Sequence, residues 1–259
     1  MEIDMLTLLW VIAGFACVHL FKMIRLYLVL MEHKIPFGRF VLLYFRTTLV
    51  NLLIPFKLGE VYRVEEVWRM TGIWQVGLLS VVVDRYFDIL ALFLWLLPMD
   101  ILLSGKLSGV TPVFGVLILA GLVLYLAIPG SHTYLNRFLI KKRASVRSMA
   151  ALSALDVVKK WYDFTANLVT GRAFLIIITS AAGWGAEIVT LKKLSVYLGI
   201  NYRFRDFGKY IDSIFLRGGK MEIQQTYTLI SVVVVAVITA VGTVIWAAKR
   251  INKQDGTAV

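Results

Sequence analysis

The chain has 259 residues, 59% hydrophobic and 17% charged, with 28 Lys and Arg against 16 Asp and Glu for a formal net charge of +12. Soluble domains carry roughly 45–50% apolar and about 25% charged residues, so the composition excludes an ordinary soluble domain and specifies an all-α polytopic membrane protein of a cell (cytoplasmic) membrane. The basic excess belongs to loops that face anionic lipid; no nucleic acid is expected as a partner, since no basic stretch is interleaved with exposed aromatics at a motif spacing.

The first element is an apolar run near residues 5–22. The N-terminus, MEIDMLTLLW, is acidic where a signal peptide is basic, and no A-x-A-like site follows, so the run reads as a first span. Cys17 lies within it as the single cysteine, which leaves packing as its expected role. A second run, near 40–56, contains Arg46 and Asn51 and ends at Pro55. Further runs near 74–97, 109–129, 173–198 and 226–248 are each long enough to cross, so about five to seven transmembrane helices are expected in one domain, 1–259.

Basic residues set the orientation. Arg137, Lys141, Lys142, Arg143, Arg147, Lys159, Lys160 and Arg172 face only Asp156 and Asp163 in sequence, which places an amphipathic loop, 130–172, in the cytoplasm. Within it ALSALDVVKKWYDFTANLV has helical period, with Leu152, Leu155, Val158 and Tyr162 on one side, as in an interfacial helix. A basic tail, 249–259, closes the chain. Lys22, Arg25, Lys34 and Arg39 put residues 22–39 inside as well. Parity then makes 57–73 cytoplasmic, so 40–56 starts and ends on one face. It reads as a re-entrant element or helical hairpin, and Asn51, Pro55 and Gly59 suit irregular backbone buried at membrane depth. Residues 201–225 fall outside by the same count, yet carry Arg203, Arg205, Lys209, Arg217 and Lys220. Either a crossing is miscounted or a second re-entrant element enters from the opposite face. IPFKLGEVYRVEE (54–66) and IFLRGGKMEIQQ (214–225) share an apolar lead, a basic residue, glycine and glutamate, as an inverted repeat would.

Several charges stand where lipid should be. SVVVDRYFDILALFLW puts Asp84 near the middle of a span, with Arg85 beside it and Asp88 one turn on; Glu187 lies mid-span in SAAGWGAEIVTL. A charge at a helix centre costs about 2.5–3.5 kcal/mol on insertion scales. Two readings account for the cluster. One is a salt-bridge lattice, Asp84 or Asp88 with Arg63 or Arg46, and Arg85 with Glu60. The other is a polar cavity whose arginines grip an anionic headgroup, since the guanidinium fork binds two phosphate oxygens. A single network can do both. Asp84 and Asp88 also resemble an acid–base or metal pair, but no other residue completes such a site. His19, His33 and His132 are scattered without ligand spacing, so no metal, no cofactor and no catalytic residue are expected.

The stretch from Asn51 to Leu92 resembles the lysylphosphatidylglycerol synthase transmembrane region, a flippase-like family. The resemblance lies in an N-x-x-x-P-x-x-x-G-E-x-x-R element, here Asn51, Pro55, Gly59, Glu60 and Arg63, followed by a D/E-R-x-x-D motif, here Asp84, Arg85 and Asp88. RGGKMEIQQ, with Gly218, Gly219 and Glu222, is a loose counterpart of the family's second half and lacks its proline. The best understood relatives fuse this region to a cytosolic aminoacyl-transferase domain and move the modified lipid to the outer leaflet. At 259 residues no such soluble domain is expected beside the membrane region, and enzymatic synthesis is not expected of it. What the resemblance implies is a lipid translocase for an anionic phospholipid, glycolipid or prenyl-phosphate-linked lipid. Arg63 and Arg85 would bind phosphate, Glu60, Asp84 and Asp88 would hold them, and Glu187 would line the far side. No nucleotide-binding motif is present, so transport would be passive or ion-coupled. Two alternatives remain: a lipid-binding subunit partnering an envelope glycosyltransferase, and a membrane-embedded lipid-phosphate transferase.

Overall fold

The computed structural model describes residues 5–54, 58–141, 146–215 and 221–255, and among these the chain is all helical. The helices are α1 (Met5–Leu30), α2 (Phe37–Leu53), α3 (Leu58–Thr71), α4 (Trp74–Met99), α5 (Val110–Lys141), α6 (Val146–Val169), α7 (Ala173–Tyr197), α8 (Phe207–Phe215) and α9 (Glu222–Asp255). Five of them, α1, α4, α5, α7 and α9, are long and apolar enough to cross a membrane. The protein is therefore a multi-pass membrane protein.

The centre of the molecule is the pair α1 and α7, which make the most extensive helix contact. Lipid is as apolar as leucine, so helices associate through close packing and polar contacts rather than through hydrophobic burial. Gly14 of α1 lies directly against Thr190, and Gly183 of α7 against Phe21, so the two helices run antiparallel with their backbones close. α4 lies beside both. Its apolar residues Ala91, Leu92 and Leu96 pack with Ile188, Leu191 and Leu194 of α7, and Trp95 donates to the Ala181 carbonyl at 2.8 Å.

α2 and α3 form an antiparallel hairpin. α2 ends at Ile54, whose backbone is extended, as expected for a residue that precedes proline. Pro55 itself lies outside the described residues. Phe40, Leu43 and Tyr44 of α2 meet Val67 of α3 at one end. At the other, Gly59 sits on Thr47 and Asn51 so closely that a methyl group there would meet the Thr47 carbonyl oxygen at 2.5 Å. α3 turns back at Gly72, in the left-handed conformation (φ +74), and packs antiparallel on α4, with Gly77 against the Val64 carbonyl.

In the second half α8 is a short helix of nine residues. Asp212 of α8 accepts from the backbone N–H of Gly109 (3.2 Å) and Val110 (3.0 Å) at the start of α5, and Phe215 meets Phe114 one turn further along. α8 thus enters the bundle beside the first turns of α5. Asp100, buried after α4, accepts from the Ser108 backbone and from the hydroxyls of Ser108 and Thr111, which ties the same end together.

The stretch 130–172 is helical through most of its length. α5 continues to Lys141 and α6 packs back on it. Leu152, Leu155 and Tyr162 are partly covered while Val158 is exposed. Tyr162 meets Tyr125 of α5, and Trp161 meets Trp74 of α4. Within the tail 249–259, α9 extends to Asp255.

Candidate functional site

A cavity of about 380 Å³ opens between α1, α2, α3, α4, α7, α8 and α9. Almost every ionisable side chain that the sequence places at membrane depth reaches it. Its floor is built on Asp84, which is 2% exposed. Arg25 of α1 donates through Nε to Asp84 Oδ1 at 2.7 Å, and Arg63 of α3 donates through Nη1 to Oδ2 at 3.0 Å. Arg25 also pairs with Asp88, one turn along α4. Asp88 accepts in addition from the Trp184 indole (3.1 Å) and from Arg85 (3.2 Å), and Arg85 forms an ion pair with Glu60 at 2.5 Å. This lattice ties α1, α3, α4 and α7 together through two aspartates one turn apart.

On the opposite wall Glu187 of α7, 4% exposed, pairs with Lys22 at 2.8 Å and accepts from the Tyr210 hydroxyl of α8 at 3.3 Å. The Lys22 ammonium also lies 5.2 Å from the centre of the Trp184 ring. His19 and Tyr44 share a hydrogen bond of 2.9 Å, and Gln224, Tyr227 and Ser231 of α9 complete the lining. Just beyond α7, the Tyr202 phenol is pushed above its ordinary value by burial, with Asp206 and Glu187 adding to the effect, so it stays neutral.

The lattice leaves some polar groups without partners. Arg63 is 6% exposed, yet its Nε and Nη2 have no hydrogen-bond partner, and neither has Oδ1 of the partly buried Asn51. Gly59 brings these groups together: it touches Asn51 and stands one turn before Arg63 on α3. An unpaired buried donor costs about 1–3 kcal/mol, and more when charged.

Of the residues singled out from sequence, Asn51, Glu60, Arg63, Asp84, Arg85, Asp88 and Glu187 all line this cavity, with Gly59 packed behind Asn51. Pro55, Gly218 and Gly219 lie outside the described residues. Glu222 is exposed at the start of α9 and does not line the cavity; Gln224, two residues on, does, and it accepts from Ser213. The expected pairs of Asp84 with Arg63 and of Arg85 with Glu60 are present. Arg46 is not a partner of these carboxylates: it donates to Thr243 of α9 at 3.3 Å. The first run does not stop near residue 22: α1 continues to Leu30 and carries Lys22 and Arg25 to the cavity. The spacing of His19, Lys22 and Arg25, three residues apart and therefore on one helical face, was the signal for them.

A family model described as the lysylphosphatidylglycerol synthase TM region matches residues 2–207. The chain belongs to this family. The match covers α1 to α7 and the first residue of α8, and so contains Asp84, both of its arginines and Glu187. Membership assigns the chain a membrane lipid-related function. No curated protein and no solved structure matches the chain.

Proposed function

We propose that the protein is a lipid translocase of the cell membrane that moves a lipid with an anionic phosphate headgroup between leaflets. The observation that supports this reading is that buried Arg63, one of the residues lining the cavity, keeps two donors, Nε and Nη2, without a hydrogen-bond partner, and a phosphate reaches them when the side chains over them move. Nε and Nη2 form one edge of a guanidinium, the edge that binds two oxygens of a phosphate. The roles of the arginines divide accordingly. Arg85 is occupied by Glu60 and Asp88, and Arg25 by Asp84 and Asp88, so Arg63 is the phosphate ligand and the others hold the lattice in which it sits.

The α2–α3 hairpin supports a re-entrant element. It is absent from the helices long and apolar enough to cross, it doubles back on itself, and its far end lies at the cavity. α8 would be its counterpart from the opposite face, meeting the same cavity through Tyr210 and Phe215. Two short elements entering from opposite sides would give lipid access from each leaflet in turn. A partner glycosyltransferase would then draw on a lipid delivered by this route.

Leaflet exchange of fluorescent phosphatidylglycerol and of a prenyl phosphate in proteoliposomes tests the reading. Wild type is expected to exchange at least one of them, and Arg63→Lys, which keeps the charge but loses the planar edge, is expected to slow exchange at least tenfold. Lipid that binds but never exchanges would transfer the assignment to a lipid-binding subunit.

A further inference from the structure

The cavity is formally balanced: counting histidine as neutral, the four basic side chains described above face four carboxylates. A phosphodiester headgroup would bring in one further negative charge. An uncompensated charge among side chains as buried as Arg63, Asp84 and Glu187 is unfavourable, which favours a counter-ion that moves with it.

The carboxylates are not held alike. Asp84 and Asp88 each contact two guanidinium groups, and Glu60 contacts one. Guanidinium groups keep their protons and grip through rigid forks. Glu187 is held by a single ammonium, that of Lys22, whose side chain is 30% exposed while that of Glu187 is 5% exposed. Lysine is a point charge on a flexible stem and exchanges partners without breaking a two-pronged contact.

Resting on the translocase reading above, we propose that lipid movement is coupled to a proton through the Lys22–Glu187 pair. When a lipid phosphate settles on Arg63, Lys22 leaves Glu187 for a phosphate oxygen, and Glu187 takes up one proton from water. One negative charge and one proton enter together, and the cavity stays neutral. The Glu187 acid keeps its hydrogen bond from Tyr210. Release of the lipid returns Lys22 to Glu187, and the proton departs on the side where the lipid leaves, so a pH gradient sets the direction. The groups facing the pair are His19 on α1, Asp88 on α4, Tyr202 before α8, Tyr210 on α8 and Tyr227 on α9. Asp88 is already tied to two arginines, and the tyrosines carry no charge to exchange. His19 is packed on Phe15, shares its Nδ1 with the Tyr44 hydroxyl and loses no partner when Lys22 moves, so Glu187, which does lose its cation, is the proton acceptor.

The detergent-purified full chain would be titrated with dihexanoyl phosphatidylglycerol in weakly buffered solution containing a pH-indicator dye. The lipid is a phosphodiester and stays ionised throughout. Wild type is expected to take up about one proton per lipid bound, with Kd rising about tenfold per pH unit where Glu187 is ionised in the free protein. Glu187→Gln is expected to bind lipid with no proton uptake and a flat pH profile. Binding by wild type without proton uptake overturns the coupling and leaves the lipid site standing, and this count decides even where Glu187→Gln does not fold. Uptake that persists in folded Glu187→Gln also overturns it. Absence of binding by wild type overturns the lipid site and the coupling together.

Discussion

Asp84 is the residue on which the lattice turns, because both of its oxygens are used by arginines from different helices. Removing it would leave Arg25 and Arg63 buried with too few partners. Breaking a buried ion pair on one side costs about 3–5 kcal/mol, so Asp84→Ala is expected to lower the thermal unfolding midpoint in detergent sharply. Arg63→Lys should behave differently. Lysine can keep the contact with Asp84, so the unfolding midpoint should move little while lipid binding weakens about tenfold or more. That split between stability and binding separates a phosphate ligand from a strut. At this scale the sequence was legible wherever an ionisable group interrupts an apolar run, as at Asp84, Asp88 and Glu187. It was less so at Lys22 and Arg25, because basic residues at the end of an apolar run have the same appearance whether the helix stops there or continues, as α1 does to Leu30.

At the scale of elements, the α2–α3 hairpin depends on the absence of a side chain at Gly59. A methyl group there would lie 2.5 Å from the Thr47 carbonyl and 2.6 Å from the Asn51 side chain, and the backbone oxygen cannot turn aside. Overpacking of this kind costs about 1–3 kcal/mol. Gly59→Val is expected to destabilise the protein by about that amount and to displace Asn51 and Arg63 from the cavity, seen as a lower unfolding midpoint together with loss of lipid binding. Parity gave a dip and return within 40–56, whereas α2 is one unbroken helix over Phe37–Leu53 and the return limb is α3, Leu58–Thr71, in the stretch that the same count left wholly cytoplasmic. The hairpin's partner contacts were not legible either, because they depend on which face of α2 turns toward α3 and which toward α9.

For the whole molecule, sidedness is the property that organises function. In a Cys17→Ser background, single cysteines at the exposed positions Arg39, Arg69 and Lys209 can be labelled with a membrane-impermeant thiol reagent. Arg39→Cys and Arg69→Cys are expected to react from the same face, and Lys209→Cys from the other. Reaction of Arg39→Cys and Arg69→Cys from opposite faces would turn the hairpin into a crossing and remove the re-entrant element.

The amino-acid sequence by itself determined the membrane class, the long spans and the motif of alternating acids and bases. Each of these is local: composition, run length and charge at a position are readable without knowing what lies opposite. Only the tertiary structure decided that Arg25 rather than Arg46 completes the Asp84 pair, that Lys22 crosses to Glu187, and that one edge of Arg63 stays free. Several basic residues competed for the same few carboxylates, and the choice among them follows from the rotation and register of packed helices, which no single segment encodes.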